Sequence, residues 1–144
     1  MKKLITVLFI ILSSFSFAQE FQWRKERDKN KPSLFTKDSI LSKLQPTFIE
    51  QLSNVEIHDV VNLRVTTFTK MEGIVTRVIK TDNLISITIN SLEINGLILI
   101  YSDSKLETGE HIYRAMLMSK NHKDVLILEN KYWHKKEMSD LIPD

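Results

Sequence analysis

The clearest order in this sequence begins beyond Asn54, where apolar and polar residues alternate with a period of two. Val61, Leu63 and Val65 alternate with Asn62, Arg64 and Thr66, and Ile85, Ile87 and Ile89 alternate with Ser86, Thr88 and Asn90. Successive side chains of a strand point to opposite faces, so each run predicts a strand with one face buried and the other in water. The β-branched residues in these runs suit a pleated surface. The same reading places further strands at about 73–80, 97–101, 111–119, 125–128 and 131–135.

The connections between these runs are short and polar: Thr81-Asp82-Asn83, Asn95-Gly96, Ser102-Asp103-Ser104, Lys120-Asn121-His122-Lys123 and Glu129-Asn130. Connections this short join antiparallel neighbours, because a parallel crossover needs a dozen residues or more. Asn95-Gly96 predicts a type I′ hairpin turn, since both residues tolerate positive φ. In that register Ile94 faces Leu97, and Leu92 faces Leu99. Leu97, Ile98, Leu99 and Ile100 are apolar on both faces, which predicts a central or covered strand with the preceding helices as its cover.

Ahead of the strands, Thr36 can cap a helix over 37–44, with Ile40, Leu41 and Leu44 as its apolar stripe. Pro46 can open a second short helix through Phe48, Ile49 and Leu52, because a first-turn residue needs no amide donor. The expected fold is therefore all-β (mainly), a small antiparallel six- to seven-stranded meander with one or two short N-terminal helices. A barrel is preferred over a sandwich. The domain occupies residues 36–144.

Two segments precede it. Met1-Lys2-Lys3, an apolar stretch over 4–12 and a small-residue site with Ser16 and Ala18 form the basic, apolar and cleavage regions of a signal peptide over residues 1–18. The apolar stretch is shorter than the roughly 20 residues of a membrane span. Residues 19–35 read as a charged flexible arm, with Arg24, Lys25, Arg27, Lys29 and Lys31 set against Glu26 and Asp28. Its other reading is a basic docking arm carrying Trp23. The mature chain is expected to be periplasmic or secreted, with no stable membrane insertion after cleavage.

Loss of Lys2 and Lys3 takes the basic count from 20 to 18, equal to the 18 acidic residues. With no net charge, attraction of the whole domain to nucleic acid or an anionic membrane has no support. The chain has no cysteine, so an exported domain of this kind holds together by packing, and thiol catalysis and cysteine metal sites are excluded.

The search for chemistry gives little. His58, His111, His122 and His134 show no metal-ligand spacing, and the nearest pair, His122 with Asp124, lacks a third ligand. Gly73, Gly96 and Gly109 are too dispersed for a phosphate-cradling loop, and no cofactor is expected. No Gly-x-Ser-x-Gly elbow occurs, and Glu72, Glu107 and Glu110 read as solvated loop acids. Adjacent strand residues point apart, so Tyr132 and Trp133 cannot form one nucleic-acid platform, and at least one belongs to the core. Met116 and Met118 share a strand face with Ile112 and Arg114; if that face is open, the methionines flank an exposed cation. Arg114, Met116, Met118, Tyr132 and Trp133 are thus the candidate binding residues. The function expected is an exported non-enzymatic binding module for a protein or glycan partner. The alternatives are a structural or assembly factor of the cell envelope, and an apolar-ligand carrier or enzyme with a scattered site.

Overall fold

Each of the alternating runs is a strand in the computed structural model, which describes residues 29–141. They are β2 (Val60–Arg64), β3 (Lys70–Lys80), β4 (Leu84–Ser91), β5 (Leu97–Lys105), β6 (His111–Ser119), β7 (Asp124–Glu129) and β8 (Tyr132–Glu137). A further strand, β1 (Leu41–Lys43), and a helix, α1 (Pro46–Leu52), precede them. The signal peptide over 1–18, and the part of the arm that precedes residue 29, lie outside the described residues.

The strands form one sheet in the order β1-β8-β7-β6-β5-β4-β3-β2, with every neighbouring pair antiparallel. The sheet curls into a half-barrel, so the expected barrel-like meander holds, with eight strands in place of six or seven. Its two edges, β1 and β2, are bridged by the chain between them: α1 leaves β1, crosses the opening and delivers the chain to β2. There the Gln51 side-chain amide donates to the Asn62 carbonyl at 2.8 Å, covering part of the β2 edge.

The eighth strand comes from residues read as helix. Leu41 pairs with His134 and Lys43 with Tyr132, while the Lys135 amide donates to the Ile40 carbonyl at 2.9 Å. Nearby, the Asp38 carboxylate accepts hydrogen bonds from the Thr66 and Thr69 hydroxyls. Tertiary hydrogen bonds of this kind outweigh the few tenths of a kcal/mol per residue that helix propensity offers. The supposed apolar stripe instead leaves Ile40 and Leu41 exposed.

α1 itself forms where expected, with Pro46 in its first turn, and ends where the Ser53 hydroxyl donates to the Glu50 carbonyl at 2.8 Å. It lays Phe48 and Leu52 on the inner face of the sheet. Phe48 meets Tyr101 edge-on at 5.9 Å between ring centroids and Trp133 at 5.4 Å. Such edge contacts add about 0.5–1.5 kcal/mol each beyond the area they bury. Ile87, Leu99, Leu117 and Leu128 complete the inner core around them.

Three connections depart from expectation, and the first, Ser102-Asp103-Ser104, is no turn: it lies within β5 and pairs with both β4 and β6. Gly96 has φ of 79°, yet Asn95 is absent from the left-handed region, and the Leu97 amide donates to the Ile94 carbonyl at 3.2 Å. The turn is therefore not type I′. The Ser91 hydroxyl, which accepts from the Glu93 and Ile94 amides, ends β4 early, and Leu99 pairs with Ile89 instead of Leu92. The left-handed pair sits in the β7–β8 hairpin, where Asn130 and Lys131 have φ of 51° and 66° between the paired Glu129 and Tyr132. Gly73 has a different purpose: a Cβ there would stand 2.6 Å from the Ile89 side chain and 2.8 Å from the Asn90 carbonyl. It allows β3 to press on β4 just before the bulge between Val75 and Arg77.

The arm expected to run to residue 35 is fixed from Pro32 onward. The Lys123 amide donates to the Pro32 carbonyl at 3.0 Å, and Asp124 accepts from the Ser33 hydroxyl and from the amides of Leu34 at 2.7 Å and Phe35 at 2.8 Å. Lys135 donates its ammonium to the carbonyls of Phe35 at 3.1 Å and Asp38 at 2.6 Å. Residues 32–40 thus form a strap across the end of the half-barrel, with Phe35 buried beneath it. Burial pushes the Asp124 carboxyl upward, but these donors outweigh it and hold the group below its ordinary value.

Candidate binding surface on the outer face

With α1 and the strap packed against the inner face, the other face of the sheet carries the remaining side chains of the central strands, open at β5 and β6 and buried at Val125 and Ile127 of β7. Strand parity puts Ile98 and Ile100 of β5, Met116 and Met118 of β6, and Val125 and Ile127 of β7 on that face. The register aligns them in two rows: Ile98, Met118 and Val125, then Ile100, Met116 and Ile127. The expected cover of β5 therefore lies on one side only: Leu97 and Leu99 are buried, while Ile98 is half-buried and Ile100 is 42% exposed.

A depression of about 230 Å³ opens between these strands, with Ile100, Met116 and Ile127 beneath it and Ser102, Arg114 and Glu129 at its polar end. Arg114 and Glu129 are exposed, and among the described residues neither has an ion-pair partner. Thioether and branched aliphatic side chains give this surface an adaptable apolar floor, and the two charges give it a direction.

The structure sorts the five candidate residues. Arg114 and Met116 line the depression together. Met118 lies one row away on the same face, and Tyr132, 42% exposed, stands beyond Glu129, its cross-strand partner. Trp133 is on the inner face, fully buried against Phe48, with its indole N–H lacking an acceptor among the described residues. It is a core residue and takes no part in the outer surface. Sequence reasoning missed Ile100, Ile127 and Glu129. The available signal was that β5 and β7 are apolar on both faces, so one row of apolar residues had to face away from the helix.

A second cluster lies on the inner face at the far end of β5 and β6. His111 Nδ1 and Asp103 Oδ1 are 2.7 Å apart, and the imidazole stacks on Tyr113 with centroids at 6.0 Å and planes at 17°. Burial, then the Asp103 carboxylate, then Tyr113 push the Tyr101 phenol upward, and Tyr113 is raised by burial and then by Asp103. Ser102 and Ser104 project to the opposite face, away from the imidazole. Among the described residues no three His, Asp or Glu side chains are placed to hold a metal ion.

No protein-family model matches the sequence, and no curated protein matches it. Among solved structures the chain is similar to a chain from the structure of a chaperone-substrate complex, at 12% identity and a TM-score of 0.47, over 72% of this chain and 86% of that one.

Proposed function

We propose that the protein is an exported binding module that docks another protein on the outer face of its sheet. The observation that carries this is the apolar floor of Ile100, Met116 and Ile127 ending in the charges of Arg114 and Glu129, neither of which has an ion-pair partner among the described residues. Covering an apolar surface gains about 25 cal/mol per Å², and an anchor of this size serves as the centre of a larger contact of about 1,000 Å² or more. A protein suits the floor better than a glycan, since sugar rings seek aromatic faces and this floor is aliphatic and thioether. A carrier of apolar ligands would keep its inner face open, and here Phe35, Phe48, Leu52 and Val55 fill it. Export, to a periplasm or the medium, is the part of the proposal that rests on the first 18 residues.

The test is site-specific photocrosslinking in the native host, with a benzophenone amino acid at Met116 and, as control, at Glu107 in the β5–β6 connection. One discrete protein adduct is expected from Met116 and none from Glu107, and Ile100→Asp should reduce it at least tenfold. Equal labelling at both positions, or none at Met116, rules out docking on this face.

A further inference from the structure

We infer that the partner contributes an extended segment that adds as a strand to the free edge of β6 over residues 111–113. This rests on the docking reading above and specifies how the partner is held. β5 and β6 pair along their full lengths, from Leu97↔Ser119 to Lys105↔His111, whereas the β6–β7 pairing ends at Ala115↔Leu128. The chain turns back at Asn130 and Lys131, so β6 runs on past the end of β7 and leaves a step in the sheet.

The hydrogen-bond alternation shows which backbone groups face that step. The Lys105 amide donates to the Asn83 carbonyl at 2.8 Å, so the backbone groups of Lys105 and of Asp103 face β4, and those of Ser104 and Ser102 face β6. Their partners Ile112 and Arg114 bond to β5. The Leu106 amide donating to the Glu110 carbonyl at 2.8 Å fits the same alternation. His111 and Tyr113 therefore turn their amides and carbonyls toward the step, and among the described residues no backbone group there answers Tyr113.

Both faces of the step are hollowed. The outer depression holds Met116 and Arg114, and a smaller one of about 100 Å³ is bounded by His111, Tyr113, Asn130 and Lys131. A polypeptide is the ligand that meets a row of amides and carbonyls at strand spacing, and its alternate side chains would enter the two hollows in turn. The guanidinium of Arg114, without an ion-pair partner among the described residues, stands beside an apolar floor and selects its chemistry: an apolar side chain on the outer face, with a carboxylate within reach of Arg114.

The test pans phage-displayed random decapeptides on the purified protein and measures the enriched peptides against two variants. Tyr113→Pro removes the outward amide without taking a donor from the β5 ladder, and Tyr113→Ala removes the side chain and keeps the amide. Strand addition predicts apolar and acidic residues in the enriched sequences, and binding at least tenfold weaker to Tyr113→Pro than to Tyr113→Ala, since both lose the ring and only the proline loses the amide. Should Tyr113→Pro fail to fold, amide exchange in the unaltered protein decides: a bound peptide should slow exchange at His111 and Tyr113 at least tenfold. Equal binding to both variants, no enriched peptide, or unchanged exchange overturns strand addition. The Met116 adduct in cells is the independent readout, since its presence alongside any of those results keeps surface docking and discards the strand, while its absence discards the docking reading itself.

Discussion

Lys131 holds a backbone conformation that an L-residue with a Cβ adopts at a cost of roughly 1–2 kcal/mol, and it does so because the two-residue β7–β8 turn demands positive φ at both positions. Its carbonyl is also in use, accepting from the Leu44 amide at 2.9 Å. Lys131→Gly should therefore stabilise the protein by about 0.5–1 kcal/mol, the relief at φ exceeding the extra chain entropy of glycine. A rise in the denaturant midpoint at unchanged slope is the expected reading, and a fall would show that the lysine side chain contributes more than the turn strains. At this scale the sequence was legible in part. Asn-Gly is the strongest local sign of a type I′ turn, and it pointed to Asn95-Gly96. The Ser91 hydroxyl took the amides of Glu93 and Ile94 and ended β4 short of the turn, which stays at Asn95-Gly96 but is not type I′, an effect no two-residue motif encodes. Among the candidate binding residues, parity alone was enough to separate Tyr132 from Trp133.

At the scale of elements, the strands β2 to β8 were legible from alternating or wholly apolar runs between polar segments, although β5 runs on through Ser102-Asp103-Ser104, the segment read as its stop. The strap and β1 were not, because their partners lie far along the chain: Asp124 and Lys135 decide the conformation of residues 33–40, and nothing local to those residues announces it. The helix α1 shows the opposite case, with Pro46 and the spacing of Phe48, Ile49 and Leu52 sufficient to mark it. Seven residues form no stable helix by themselves, so α1 persists through the face it buries. Phe48, fully buried between Tyr101 and Trp133, is its main attachment. Phe48→Ala should cost about 3–5 kcal/mol in chemical denaturation, with Phe48→Leu costing distinctly less. A loss below 1 kcal/mol would mean that the half-barrel is held without its helix.

For the whole molecule, the strap makes stability depend on one carboxylate. Asp124 has its ordinary affinity for protons when unfolded and a lower one when folded, so the unfolded state binds more protons in acid. The stabilisation from the strap is thus fully present above the ordinary carboxylate range and is lost as pH falls through the lowered folded value. Asp124→Asn should cost about 1.5–3 kcal/mol at neutral pH, the range for hydrogen bonds to a charged group. Melting temperatures of the variant should also fall less steeply in acid than those of the parent. Parallel pH profiles for the two proteins would place the acid sensitivity elsewhere.

The strap also sets an order in time. Ser33 and Asp124 are 91 residues apart, and Lys135 lies 100 residues beyond Phe35. A nascent chain emerges N-terminus first at about 5–20 residues per second, so residues 33–35 wait roughly 5–20 s before the carboxylate that fixes them has even been made. Until then the end of the half-barrel stays unsealed and Phe35 has no finished core to enter. The earlier strands can pair as neighbours while synthesis continues, but the seal is the last event, and a chain interrupted before β7 has no means of completing it.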